Sequence, residues 1–170
     1  MKYNIRHKVW ETNSSSTHSM TIDSQHICYD SIIPNNKGEI ELVGREFGWE
    51  WEKYHDPITK ASYCAIHAKN SVRKIKMLKK VIKKHTGTKK VIMDIDGYHI
   101  DHQSLDIANE AFESEETLKN FIFNRNSILF TGNDNSNEPD GFKNINIVDN
   151  ETDEIRIILK EMGYKLDPIT

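Results

Sequence analysis

Residues 71 to 85, SVRKIKMLKKVIKKH, constrain the fold more than any other stretch of the chain. At 100° per residue, Val72, Ile75, Leu78, Val81 and Ile82 fall on one half of a helical wheel. Arg73, Lys76, Lys80, Lys83 and Lys84 fall together on the other. Such a segment needs an apolar surface to lie on and leaves a cationic stripe facing outward. Gly87 follows and supplies the left-handed residue that ends a helix.

The surface it packs on has to come from elements of both kinds. Residues 2–10, 19–23, 39–43 (EIELV), 89–95, 127–131 and 145–148 alternate or run apolar in the manner of strands. Asp96-Gly97 is a two-residue hairpin signal, so YHIDHQS, 98 to 104, is expected as the return strand. Pro57 can open a helix towards Asn70, and residues 105–112 form a short helix. Ser114 caps a helix over 115–123, with Glu115 and Glu116 in the first turn where the dipole favours them. Thr152 caps a last helix to Met162. Strands and helices mix without strict alternation. The expectation is an α+β fold, a mixed or antiparallel sheet with about four helices. Its 170 residues suit one domain, 1–170, in which 149–170 is a C-terminal helical segment.

Charge is unevenly spread. Net charge is −3, yet Lys69 to Lys90 holds ten basic residues and no acidic one, and the rest of the chain holds 13 basic and 26 acidic residues. A lopsided molecule of this kind suits an electrostatic partner. The cationic residues Arg73, Lys76, Lys80, Lys83 and Lys84 are candidates for a nucleic-acid or partner surface, against the ordinary alternative of a solvated lysine face. Lysine outnumbers arginine 18 to 5, so base-specific readout is not indicated. No apolar run approaches the ~20 residues that span a bilayer, and Arg6, His7 and Lys8 interrupt any leader-like apolar start. A cytoplasmic protein without a membrane partner is expected. Two cysteines, Cys28 and Cys64, form no disulfide framework.

Three clusters carry chemistry-bearing side chains. ETNSSSTHS, 11 to 19, offers Glu11, Asn13, Ser14, Ser15, Ser16, Thr17 and His18, which suit phosphate or other anionic oxygens. A Ser beside a His could also be an activated nucleophile; the plain alternative is a hydroxyl-rich connecting loop. On a strand, His99 and Asp101 share one face of YHIDHQS, and Asp101, His102 and Ser104 are catalytic residue types. The third cluster, Asn133 to Asn135 after a strand end, is an ordinary turn composition. Cys64 and His67 share a helical face and could add metal ligands, but a buried Cys and a packed His are commoner, so no metal site is expected. Phe47, Trp49, Trp51 and Tyr54 mark GREFGWEWEKYHDP as an ordered aromatic loop.

VWETNSSSTHSM, EFGWEW, YHIDHQS and FIFNRNSILFTGNDN resemble the successive motifs of an uncharacterised protein family of tailed bacteriophages and low-GC bacteria, whose members open with an ETNSSSxHS-type segment. The resemblance spans about residues 9 to 135. It implies that Glu11, Asn13, Ser14, Ser15, Ser16 and His18 belong to the family hallmark, with Asp101, His102 and Gln103 as a second element. It supplies no activity and no cofactor. It favours a convergent site, in which the 11–18 loop meets the 101–104 strand and Trp49 or Trp51 forms an apolar wall. In that site His102 would be general acid or base oriented by Asp101, with His18 as a second proton-transfer group. The serines would hold the anionic oxygens of a phosphate-bearing small molecule such as a nucleotide. The competing expectation is a non-catalytic phage accessory protein, of the anti-defence or host-takeover kind, acting in the host cytoplasm. It would bind a host protein or a nucleic-acid complex through charged surfaces, with protein favoured over nucleic acid. A phage particle component is the third.

Overall fold

Ser71 begins a helix capped at both ends: its side chain accepts from the Lys74 amide, and Gly87, at φ +71°, closes the other end with its N–H on the Lys83 carbonyl. The structure is a computed structural model that describes residues 16–49, 51–100 and 105–133. In chain order these form β1 (Ser16–Thr21), β2 (Glu39–Val43), β3 (Glu52–Tyr54), α1 (Pro57–Ala68), α2 (Val72–Thr86), β4 (Lys90–Asp94), α3 (Leu105–Ala111), α4 (Glu115–Phe123) and β5 (Ile128–Asn133). The chain divides into two compact units, Met1–Ser136 and Asn137–Thr170, and every described residue belongs to the first. The fold class is α+β. The expected strands 2–10 and 145–148 and the helix from Thr152 lie outside the described residues, as does the 149–170 segment.

The strands divide between two sheets. β5 is the centre of an antiparallel sheet ordered β1–β5–β3, with Ser16 opposite Asn133 and Tyr54 opposite Leu129. β5 is paired along both edges, and both of its faces are covered: Ile128 and Gly132 on one and Leu129 and Thr131 on the other are buried. The second sheet pairs β2 with β4 in parallel, from Glu39 opposite Lys90 to Val43 opposite Asp94. Parallel neighbours need a long crossover, and β3, α1 and α2 provide it.

α1 is the central helix, packed by α2, α3, α4 and β2. Asp56 caps it by accepting from the Thr59 amide, and Pro57 occupies the first turn. Ala61, Ala65 and Ala68 let its neighbours approach, while Tyr63, Cys64 and Ile66 fill the space between them. Leu78 and Ile82 of α2, Leu118, Phe121 and Ile122 of α4, Leu42 of β2 and Leu129 of β5 complete one core.

Three expectations are corrected. Residues 98–100 are not a return strand. The turn forms, with Gly97 at φ +83° and the Tyr98 amide on the Ile95 carbonyl at 3.3 Å. The chain then leaves the sheet: the Tyr98 ring lies over Gly44, and Lys69 Nζ takes the Tyr98 carbonyl. β1 begins at Ser16, so the end of the hydroxyl-rich segment is strand rather than loop. The aromatic loop contains a strand, β3, held by its pairing with β5.

A polar clamp joins residues 23–30 to 123–127. The Asn124 side-chain amide donates to the carbonyls of Asp23 and His26 at 2.8 and 3.1 Å, and Ser127 Oγ accepts from the Asp23 amide at 3.0 Å. Arg125 pairs with Asp30 at 2.5 Å and holds that carboxyl below the usual range. Beneath the clamp lies Lys60, fully buried, its ammonium donating to the carbonyls of Asn124 (2.9 Å) and Ser127 (2.8 Å). Asn124 is the C-cap of α4, where a cation offsets the negative end of the helix dipole.

Candidate functional site

Of the residues singled out in the N-terminal motif, Glu11, Asn13, Ser14 and Ser15 lie outside the described residues, as do Asp101, His102 and Gln103. Ser16 and Thr17 belong to β1, paired with Asn133 and Gly132. His18 is described, and it is a core residue. It is 1% exposed, opposite Thr131 of β5, with Nδ1 3.0 Å from the Tyr63 hydroxyl. Burial pushes the Tyr63 pKa up, so the phenol keeps its proton and one hydrogen bond joins the two rings in either imidazole tautomer. Trp49 is 69% exposed. Trp51 instead lays its indole over Gly132, where no Cβ would fit.

The cationic stripe forms as a continuous surface. Leu78, Val81 and Ile82 bury one side of α2, and Arg73, Lys76, Lys80, Lys83 and Lys84 are all exposed on the other. Helical geometry puts these five within a sector of about 100°, over about 16 Å of axis. Lys80 bonds Glu115 at the start of α4 at 2.5 Å. Glu116 lies beside it on the same turn of α4 and pairs with Lys119. Lys74 is set apart from the stripe: its amine contacts His67 Nε2 at 2.8 Å and Asn109 Oδ1. Desolvation, the Lys74 charge and, in opposition, the Asn109 hydrogen bond leave the His67 pKa down at about 4. Cys64 is fully buried, and its thiol pKa is pushed up by that burial. Among the described residues no group of three or more His, Cys, Asp or Glu side chains is placed to hold a metal ion. No helix among them is long and apolar enough to cross a membrane.

A second surface feature went unnoticed in the sequence. A groove of about 550 Å³ runs beside β2, floored by the buried Ile32, Ile40 and Pro57 and lined further by the exposed Ile33 and Ile58 and by Glu39, Glu41 and Asp56. The signal for it was present in part. EIELV alternates so that its glutamates face away from the core, which marks an acidic face on this strand. Ile32 and Ile33 before Pro34, and Ile58 after Pro57, carry no periodicity that would announce a shared floor.

No family model matches the chain, and neither does any curated protein or solved structure.

Proposed function

We propose that the protein is a non-catalytic binding protein that docks on an acidic surface of a partner protein through the exposed face of α2. This is the accessory role that the phage-family resemblance would accommodate. The observation that carries it is the stripe itself: five cations on one rigid, doubly capped helix, held outward by an apolar side locked into the core. A preformed array of this kind loses little side-chain order beyond the lysines themselves when it binds, and it steers an anionic partner into place.

A protein partner suits the stripe better than a nucleic acid. Glu115 and Glu116 at the start of α4 interrupt the positive field beside Lys80, and a continuous phosphate backbone would run into them. The face is mostly lysine, with no aromatic side chain interleaved for base stacking. The small-ligand reading of the N-terminal motif has less support. Its one described proton-transfer candidate, His18, is sealed in the core against Tyr63.

The test measures binding of labelled polyglutamate and of a random-sequence DNA duplex to the full chain across ionic strength. Polyglutamate should bind, and weaken about tenfold or more between 50 and 200 mM salt. The triple variant Lys76→Glu, Lys80→Glu, Lys83→Glu should lose it while keeping its circular dichroism spectrum. Unchanged binding by that variant, or tighter binding of the duplex than of polyglutamate, overturns the proposal.

A further inference from the structure

Among the described residues β2 pairs with β4 alone, which leaves its other side open. The Gly38 carbonyl and the Gly44 amide face β4, where they bond Lys89 and Asp94. By the alternation of a strand, Ile40 and Leu42 face the same way, and Glu39, Glu41 and Val43 present their amides and carbonyls to the opposite side. Asn35 satisfies Glu39 there: its amide bonds the Glu39 carbonyl at 2.8 Å and its Oδ1 accepts from the Glu39 amide at 3.0 Å. The amides and carbonyls of Glu41 and Val43 have no partner among the described residues. The groove lies along this open side, and apolar side chains next to it are exposed, Ile33 at 87% and Val43 at 53%.

We infer that this edge is a docking site for an extended segment of a partner protein, one that adds as a strand beside β2 and alternates apolar side chains with lysine or arginine. The backbone groups of Glu41 and Val43 supply the ladder bonds, and the apolar floor takes every second side chain. The acidic border sets the charge of the occupant. Glu39 is already engaged by Lys90 at 3.2 Å, whereas Glu41 makes no ion pair among the described residues, and Asp56 stands exposed across the groove. A cation between the apolar positions of the incoming strand would meet one or both. The same charges argue against a second copy of this chain. Edge-to-edge antiparallel pairing of two β2 strands about Ile40 or Glu41 would set glutamates opposite glutamates, and a register shifted to Leu42 still leaves the two Glu41 side chains diagonal to each other, so like charges repel. The site is separate from the α2 stripe and does not depend on it.

The experiment pans a displayed random nonapeptide library on the full chain, with the double variant Glu41→Lys, Ile58→Asp as counter-selection. Both positions are exposed, and circular dichroism checks that the variant is folded. Enriched peptides should share apolar residues at alternate positions with Lys or Arg between them. A synthetic peptide of the enriched consensus should bind at least tenfold more weakly to the double variant, equally to the α2 triple charge reversal, and should slow amide hydrogen exchange at Glu41 and Val43. Failure to enrich any sequence, enrichment of acidic or non-alternating ones, or binding that leaves those two amides exchanging as before would overturn the inference. So would sedimentation showing a dimer that the consensus peptide does not dissociate, since the edge would then belong to a second copy.

Discussion

His18 and Tyr63 form a hydrogen-bonded pair inside the core, Nδ1 to hydroxyl oxygen at 3.0 Å, bringing β1 and the central helix α1 together across 45 positions of sequence. The rings lie tilted, 5.7 Å between centroids, and Phe47 meets the Tyr63 ring edge-on at 5.1 Å. A polar pair so deeply buried contributes by being satisfied: removing one member leaves the other short of a partner in a medium without water. Tyr63→Phe keeps the ring and deletes only the hydroxyl. It should lower stability by about 1–2 kcal/mol, read as a shift of the urea midpoint at unchanged slope. A variant as stable as wild type would show that the bond contributes nothing net.

Lys60 makes the stability depend on alkaline pH. Desolvation lowers its pKa from the ordinary 10.5 to about 8, with Asp56 and Asp30 opposing the shift. Below about pH 8 the lysine is charged in both the folded and the unfolded chain. Between about 8 and 10.5 only the unfolded chain holds the proton, so stability rises with pH through that window. The full shift corresponds to about 3 kcal/mol as an upper bound, because the carbonyls of Asn124 and Ser127 favour the ammonium. Burial raises the pKa values of Cys64 and Tyr63, so both work in the opposite direction over the same interval, and the informative quantity is a difference. Stability of wild type minus that of Lys60→Met, from urea unfolding, should increase between pH 7.5 and pH 10, and a constant difference would assign the effect to other groups.

What the sequence disclosed about this fold is what local chemistry decides. Gly87, Pro57, and Ser114 with two glutamates each mark a helix end within a turn of the residues that make it, and α2, α1 and α4 form where those signals stand. Asp96-Gly97 likewise makes its turn. Whether a strand follows is decided elsewhere, by the packing of Tyr98 on Gly44, more than fifty positions back. β3 was hidden for the same reason, since Glu52, Lys53 and Tyr54 become a strand only because β5 lies beside them. The surfaces divide the same way. The α2 stripe was legible because one helix carries all of it. The groove was not, because residues 31–41 and 56–58 meet only in the folded chain. A lysine on a helix reads as solvent-exposed, and nothing near Lys60 in sequence foretells carbonyl partners 64 and 67 positions away.

The contact of Gly44 with Tyr98 can be tested directly. A Cβ at residue 44 would clash with the Tyr98 ring, and Gly44 has an ordinary backbone conformation, so the obstacle is space alone. Gly44→Ala should cost about 1–3 kcal/mol through overpacking. Combining it with Tyr98→Ala removes the clash, so the double variant should be more stable than the sum of the two single losses predicts, by about 1 kcal/mol or more in a double-mutant cycle. Strict additivity would mean that the ring swings aside at no cost.

His67 sets the behaviour at acid pH. Its imidazole lies against the Phe112 ring at 5.8 Å, with Nε2 between Asn109 Oδ1 (3.1 Å) and the Lys74 amine (2.8 Å). Burial first, and then the Lys74 charge, bring its pKa from 6.5 to about 4, with the Asn109 bond opposing. A base with a lowered pKa is neutral in the fold over an interval where the unfolded chain has already taken up a proton. Stability therefore falls as pH drops from about 6.5 to about 4. The full shift amounts to about 3 kcal/mol, and solvent access at this half-buried position brings the expected loss nearer 1–2 kcal/mol. Carboxylates titrate over the same range, so the informative quantity is a difference. Stability of wild type minus that of His67→Gln, which cannot ionise, should decrease by that amount between pH 6.5 and pH 4. Lys74→Met should shrink the decrease, because it removes the second-largest cause of the shift and leaves desolvation in place. A difference that stays constant across the interval would mean that His67 protonates in the folded protein as readily as in the unfolded chain, and that the Lys74 contact does not persist in solution.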